Sequence, residues 1–218
     1  MIEARSPRAR GISGSAIACA WLAIAVVVAF GVYLLVSGGG PTPVDTAWHD
    51  AIGAERGGFA AVLATDLAGI GGWIGVTTCG LIACAGLFAA RRPRDAGILI
   101  TSLVVGVAAS QLLKFVIGRQ RPADMLIHAA GSSYPSGHSL SAATLAVAIA
   151  IVLARTAPPT IAKLLFAAAA FWVLLMMWSR TALHVHWLTD TIGGALLGTA
   201  VAILSAAAWQ RRERRIDA

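Results

Sequence analysis

The stretch LLFAAAAFWVLLMMW, SRTALHVHWLTD, TIGGALLGTAVAILSAAAWQ runs without interruption through Leu164–Trp178, Ser179–Asp190 and Thr191–Gln210. A helix needs about 20 mostly apolar residues to cross the hydrocarbon core of a bilayer. The last of the three runs meets that length, and the first meets it only by continuing into the polar string beside it. Arg180, His184, His186 and Asp190 then stand at a membrane edge, where ionisable groups are costly and mark function by default. Two helices joined at that edge are the unit from which the rest of the chain is read.

Outward from it, four further uncharged runs appear: Ile17–Val36, Leu67–Ala90, Ala96–Leu113 and Ser139–Ala154. The whole chain of 218 residues is 58% hydrophobic and 12% charged, with a mean hydropathy of +0.78. Ordinary soluble domains are about 45–50% apolar. The expected fold is therefore all-α: a polytopic membrane protein of six transmembrane helices in a single domain spanning 1–218. The net charge of +7 does not point to nucleic acid, because Lys and Arg cluster between apolar runs rather than on a soluble basic face. Cys19, Cys79 and Cys84 all fall within apolar runs and are assigned no chemistry.

The positive-inside rule orients the chain. With the N-terminus inside, the inner segments hold Arg5, Arg8 and Arg10, then Arg91, Arg92 and Arg94, then Arg155 and Lys163, then Arg211, Arg212, Arg214 and Arg215. These are twelve of the seventeen basic residues. The expectation is a plasma-membrane protein with a cytoplasmic basic N-terminus (1–16), a cytoplasmic basic tail (209–218) and an uncleaved first helix. Between the first two spans, Val44, Trp48 and Ile52 recur every four residues, which predicts a short interfacial helix. Asp66 is expected to cap the second span or stand at its entrance. Gly194-x3-Gly198 suits close helix packing, with homodimerisation as the other reading.

Three polar strings meet on the outer side of this topology. Lys114-x6-Arg121-Pro122 closes the third span, with Gly118 and Pro122 expected to end the helix so that both cations curl into one pocket. Pro135-Ser136-Gly137-His138 opens the fourth, where free backbone N–H groups favour an anion and the Ser136 hydroxyl can cap the helix or bind phosphate. Ser179-Arg180-x5-His186-x3-Asp190 joins the fifth to the sixth. Four residues apart, His186 and Asp190 face each other, and a carboxylate on one ring nitrogen leaves the other free as a nucleophile. Cations arranged around a phosphoryl group, with a nucleophile beside them, constitute a phosphate-transfer site.

In these eleven specified residues the chain resembles the type 2 phosphatidic acid phosphatase superfamily, whose signature has the same three parts in the same order. That superfamily includes bacterial phosphatidylglycerophosphate and undecaprenyl-diphosphate phosphatases. The resemblance implies that His186 attacks phosphorus to form a phosphohistidine while Asp190 orients it. It implies that His138 protonates the leaving oxygen and then activates water. Lys114, Arg121, Ser136, Gly137 and Arg180 would hold the phosphoryl oxygens, and neither a metal nor another cofactor would be required.

The expected function is hydrolysis of the terminal phosphate of a lipid phosphate or diphosphate at the outer face. Undecaprenyl diphosphate is the first substrate choice, with phosphatidylglycerophosphate, phosphatidic acid or a phosphotransferase reaction as alternatives. An anion channel is disfavoured by the uncharged middles of the spans. A soluble haloperoxidase is disfavoured by the six apolar runs. His184 lacks a carboxylate four residues on, where Leu188 stands, and is read as a neighbour. Arg119, Asp124 and His128 are read as solvated loop residues.

Overall fold

A computed structural model describes residues 11–216, and among these it forms eight α-helices. Arg5, Arg8 and Arg10, on which part of the charge bias rests, lie outside the described residues, as do the side chains of Arg214 and Arg215. In chain order the helices are α1 (Gly14–Val36), α2 (Pro43–Ile52), α3 (Phe59–Gly71), α4 (Trp73–Ala89), α5 (Pro93–Ile117), α6 (Gly137–Ala154), α7 (Pro159–Ala182) and α8 (Leu188–Ile216). Pro43, Pro93 and Pro159 each open a helix, where a missing N–H costs nothing and the fixed φ suits the first turn.

Among the described residues, five helices are long and apolar enough to cross a bilayer, and α3 with α4 supplies a sixth span bent by 48°. The bend corrects the expected straight run over Leu67–Ala90. This span begins at Phe59 and breaks at Gly72, whose extended backbone (ψ 174°) interrupts the ladder. Asp66 consequently sits inside α3 with an exposed side chain instead of capping a helix. The short helix predicted from Val44, Trp48 and Ile52 is present as α2, closed at its start by a reciprocal capping box between Thr42 and Asp45.

Within the spans, 61% of α6 and of α8 is buried but only 22% of α1 and of α7, so α6 and α8 form the centre and the others ring them. Ile98 and Leu99 of α5, Leu145, Ala148 and Val152 of α6, and Ala202 of α8 share one core cluster. Exposed large side chains such as Trp21, Leu22, Ile82, Leu112, Phe115 and Phe171 cover the perimeter. In a protein surrounded by lipid, that surface needs no further cover.

The central pair approaches closely because of two glycines. A side chain at Gly194 would collide with the Ser136 carbonyl, and one at Gly198 with the Leu140 carbonyl. Gly194-x3-Gly198 therefore packs α8 against α6 within the chain, which takes away the motif as a reason for a homodimer. At the end of the bundle away from the polar strings, Asp95 accepts from Arg92 at 2.6 Å and from Arg155 at 2.9 Å, tying α5 to the end of α6. Gly198→Val is expected to cost about 1–3 kcal/mol by overpacking. Thermal unfolding in detergent should show a clear loss for it and none for Gly86→Ala, which meets open space.

Candidate active site

The polar strings converge at one end of the bundle because α5 and α7 finish there and α6 and α8 start there. Gly118 ends α5 in the left-handed conformation (φ 63°), a turn that a side chain disfavours. The chain then doubles back and brings Arg121 over Lys114. Both line a cavity of about 440 Å³ together with Gln111, Phe115, Ala130, Gly131, Ser132, Gly137, His138 and His186. Both cations lie against backbone carbonyls. Lys114 donates to Ser132 at 2.5 Å, while Arg121 donates to Val185 at 2.6 Å, to Gly131 at 3.1 Å and to Ala130 at 3.2 Å. These are carbonyl dipoles, weaker partners than a phosphate dianion.

His186 precedes α8 and is buried, with Nε2 turned toward Arg121 at 3.1 Å. Its other nitrogen, Nδ1, lies 3.5 Å from Asp190 Oδ2, a long contact of the kind that tightens when a substrate binds. Asp190 is itself held on both oxygens: Oδ1 accepts from Arg119 at 2.6 Å and Oδ2 from the Trp187 N–H at 2.9 Å. Burial pushes the His186 pKa down to about 4, against the opposing pull of Asp190. At neutral pH the imidazole is uncharged, the form in which a nitrogen can attack phosphorus.

Ser136 is the N-cap of α6, and its hydroxyl faces the Ser139 N–H at 3.5 Å. Of the two roles open to Ser136 in the sequence, the structure displays the capping one. Its own N–H donates to the Asp190 carbonyl at 2.9 Å, which joins the starts of α6 and α8. Gly137 and His138 line the cavity directly. Behind His138 lies the break in the second span, where the Ala68 carbonyl faces the ring and a side chain at Gly72 would collide with that carbonyl. Arg180 is buried just outside the cavity lining, donating to Ser179 Oγ at 3.3 Å and to the Ala64 carbonyl at 3.5 Å. A larger groove of about 600 Å³ runs between α1, α6, α7 and α8, but its lining carries no charged group.

Arg119 corrects the sequence reading most strongly. Instead of being a solvated loop residue, its side chain is fully buried. It donates to Asp190 at 2.6 Å, to Asp45 at 2.7 Å, to Thr189 at 2.8 Å and to the Gly40 carbonyl at 3.1 Å. Asp45, on α2, also accepts the Thr189 N–H at 2.8 Å. Burial raises the Asp45 pKa, but the N–H groups of Thr189 and Thr42 and the guanidinium of Arg119 outweigh it and hold the carboxyl below its ordinary value. Asp45 thus serves both the Thr42 capping box and this buried ion pair, two uses that the sequence reading did not contain. Asp124 is likewise engaged, by His49 and His184, whereas His128 is exposed as expected.

The sequence pattern of the PAP2 superfamily matches residues 95–214. The phosphatidylglycerophosphatase B of Bacillus subtilis (strain 168) is 33% identical over 117 residues, 52% of this chain and 58% of that protein. An undecaprenyl-diphosphatase of Sulfolobus acidocaldarius is 31% identical over 141 residues, 61% of each chain. The chain thus matches less than two thirds of the length of these two relatives. Among solved structures, the transmembrane PAP2-type phosphatidylglycerolphosphate phosphatase of Bacillus subtilis superposes with a TM-score of 0.74 at 26% identity, over 88% of this chain and 96% of that one. LpxE of Aquifex aeolicus does so with a TM-score of 0.53 at 26% identity, over 66% and 84%.

Removing one partner of a buried ion pair costs about 3–5 kcal/mol. Arg119→Ala, which strands two buried carboxylates, should therefore unfold far below the wild type in a detergent thermal melt. For His186, nitrogen chemical shifts followed by NMR should report protonation with a midpoint near 4. The ring should stay neutral as pH falls from 7 to 5; a midpoint near the ordinary value of about 6.5 would contradict the assigned environment.

Proposed function

Since the chain belongs to the PAP2 superfamily, we propose that it is an integral membrane lipid phosphatase that releases the terminal phosphate of a lipid phosphate or diphosphate. The observation that carries this reading is one cavity lined by Lys114, Arg121, His138 and His186, with Asp190 behind His186. His186 Nε2 attacks phosphorus, an N–P bond forms and the P–O bond to the lipid breaks, while His138 gives a proton to the departing oxygen. Water then yields a proton to His138 and attacks the phosphohistidine, which breaks the N–P bond and frees inorganic phosphate. Lys114, Arg121 and Arg180 carry the growing negative charge, and the N–H groups at the start of α6, around Gly137, add donors. Ser136 contributes by holding that helix start in place.

In the two proposed steps no bond, charge or proton is routed through a metal. Undecaprenyl diphosphate remains the first choice of substrate, supported by the archaeal relative's name and by the exposed, apolar wall that Phe115 and Leu112 offer beside the cavity. Phosphatidylglycerophosphate is the second reading, supported by the likeness to the Bacillus phosphatase. The charge bias supports an outward-facing site with both termini in the cytoplasm. There the headgroup meets water while the tail stays in the bilayer.

Purified protein should release phosphate from at least one of undecaprenyl diphosphate, phosphatidylglycerophosphate and phosphatidic acid. His186→Ala should abolish turnover, vanadate should inhibit, and most of the rate should survive EDTA. Near-wild-type activity in His186→Ala would remove the nucleophile, and a complete loss in EDTA restored by Mg²⁺ would remove the metal-free mechanism. Phosphate that appears only when an acceptor alcohol is added would favour a phosphotransferase.

A further inference from the structure

Outside the cavity lining, a second constellation sits at the same end of the bundle. His49 is in the last turn of α2, Asp124 in the connection between α5 and α6, and His184 in the left-handed position (φ 53°) that follows α7. His49 Nε2 lies 3.0 Å from Asp124 Oδ2, and His184 Nδ1 lies 2.7 Å from the same oxygen. The two imidazoles stack with centroids 3.7 Å apart and a tilt of 30°, each with one ring nitrogen on the same carboxylate oxygen. All three donor atoms fall within 4.8 Å of one another.

We propose that His49, Asp124 and His184 form a binding site for a borderline divalent transition-metal ion, with Zn²⁺ as the natural probe. The two imidazole nitrogens and one carboxylate oxygen are a donor set that Zn²⁺ accepts and that Mg²⁺ and Ca²⁺, which prefer oxygen throughout, do not. Bonds of about 2.0–2.1 Å in a tetrahedron set ligand atoms roughly 3.3 Å apart, so the 2.7 and 3.0 Å separations need to open by roughly 0.3–0.6 Å. Asp124 is 58% exposed, which leaves a side of the site open to water as a further ligand. The three segments are already joined by backbone hydrogen bonds, Ala54 to Ala182 at 3.0 Å and Leu126 to Leu183 at 3.1 Å, so little chain ordering remains to oppose binding.

Such an ion would fasten α2 and the α5–α6 connection to the segment that carries His186, two residues beyond His184. It belongs to the scaffold and takes no part in phosphate transfer.

Tag-free full-length protein in detergent, stripped with EDTA and exchanged into phosphate-free buffer, tests the site. After incubation with ZnCl₂ and gel filtration, elemental analysis should find one zinc per chain in the wild type and in His186→Ala. Zn²⁺ should raise the thermal midpoint of both by several degrees, and Mg²⁺ should not. The double variant His49→Gln with His184→Gln, and separately the exposed Asp124→Asn, should lose both the bound zinc and the thermal shift. Either variant that folds and still retains one zinc would overturn the assignment, as would a wild type that emerges without zinc. The His186→Ala arm separates this outcome from any failure of the proposed phosphatase activity.

Discussion

The buried run Asp45–Arg119–Asp190 is the interaction on which the rest of this molecule depends. Three charges lie entirely out of solvent, linked at 2.6 and 2.7 Å. Taking an ion out of water costs several kcal/mol even after relaxation, so such groups persist only when each one is paired and hydrogen-bonded. Arg119 meets that condition with two carboxylates, the Thr189 hydroxyl and backbone carbonyls of the segment after α1. It thereby locks α2, the end of α5 and the start of α8 into one relative position. Asp190, steadied from this side, can present its other oxygen to His186.

A second constraint follows from the membrane. Backbone groups inside the hydrocarbon need partners, and along the bent span Ala64 in the middle of α3 and Ala68 near its break each turn a carbonyl toward a side chain. Arg180 donates to the first and His138 faces the second. The bent span therefore works as a back wall for two side chains of the proposed phosphate site. On the front, Lys114 and Arg121 rest on the carbonyls of residues 130–132. An incoming anion has to replace these dipoles and that of the Val185 carbonyl.

Close packing of α6 on α8 links these two features. Gly194 and Gly198 let the helices meet at backbone contact, and the Ser136 N–H bonds to the Asp190 carbonyl across the junction. Since His138 starts one helix and His186 just precedes the other, the spacing of the two proposed catalytic histidines is set by that contact. A few tenths of an ångström lost there would be felt at the chemistry, because oriented proton and phosphoryl transfer tolerates little displacement.

Much of this was legible in one dimension. Uncharged runs of about 20 residues dictate spans, because the bilayer accepts little else. Gly118 and Pro122 announced the end of α5, and the spacing of Val44, Trp48 and Ile52 the presence of α2, because cap chemistry and helical periodicity are both local. The Lys114, His138, His186 and Asp190 spacing marked a phosphate site for the same reason: each string is short, and the topology carries all three to one end. What tertiary structure decided was contact between residues far apart in the chain. Arg119 looks like any loop arginine until Asp45, 74 positions away, is folded against it. The break at Gly72, the joining of His49, Asp124 and His184, and the withdrawal of Arg180 from the cavity lining share this character. Periodicity and capping act over a turn or two of helix, whereas pairing of buried charge is settled only when distant segments compete for the same dry space.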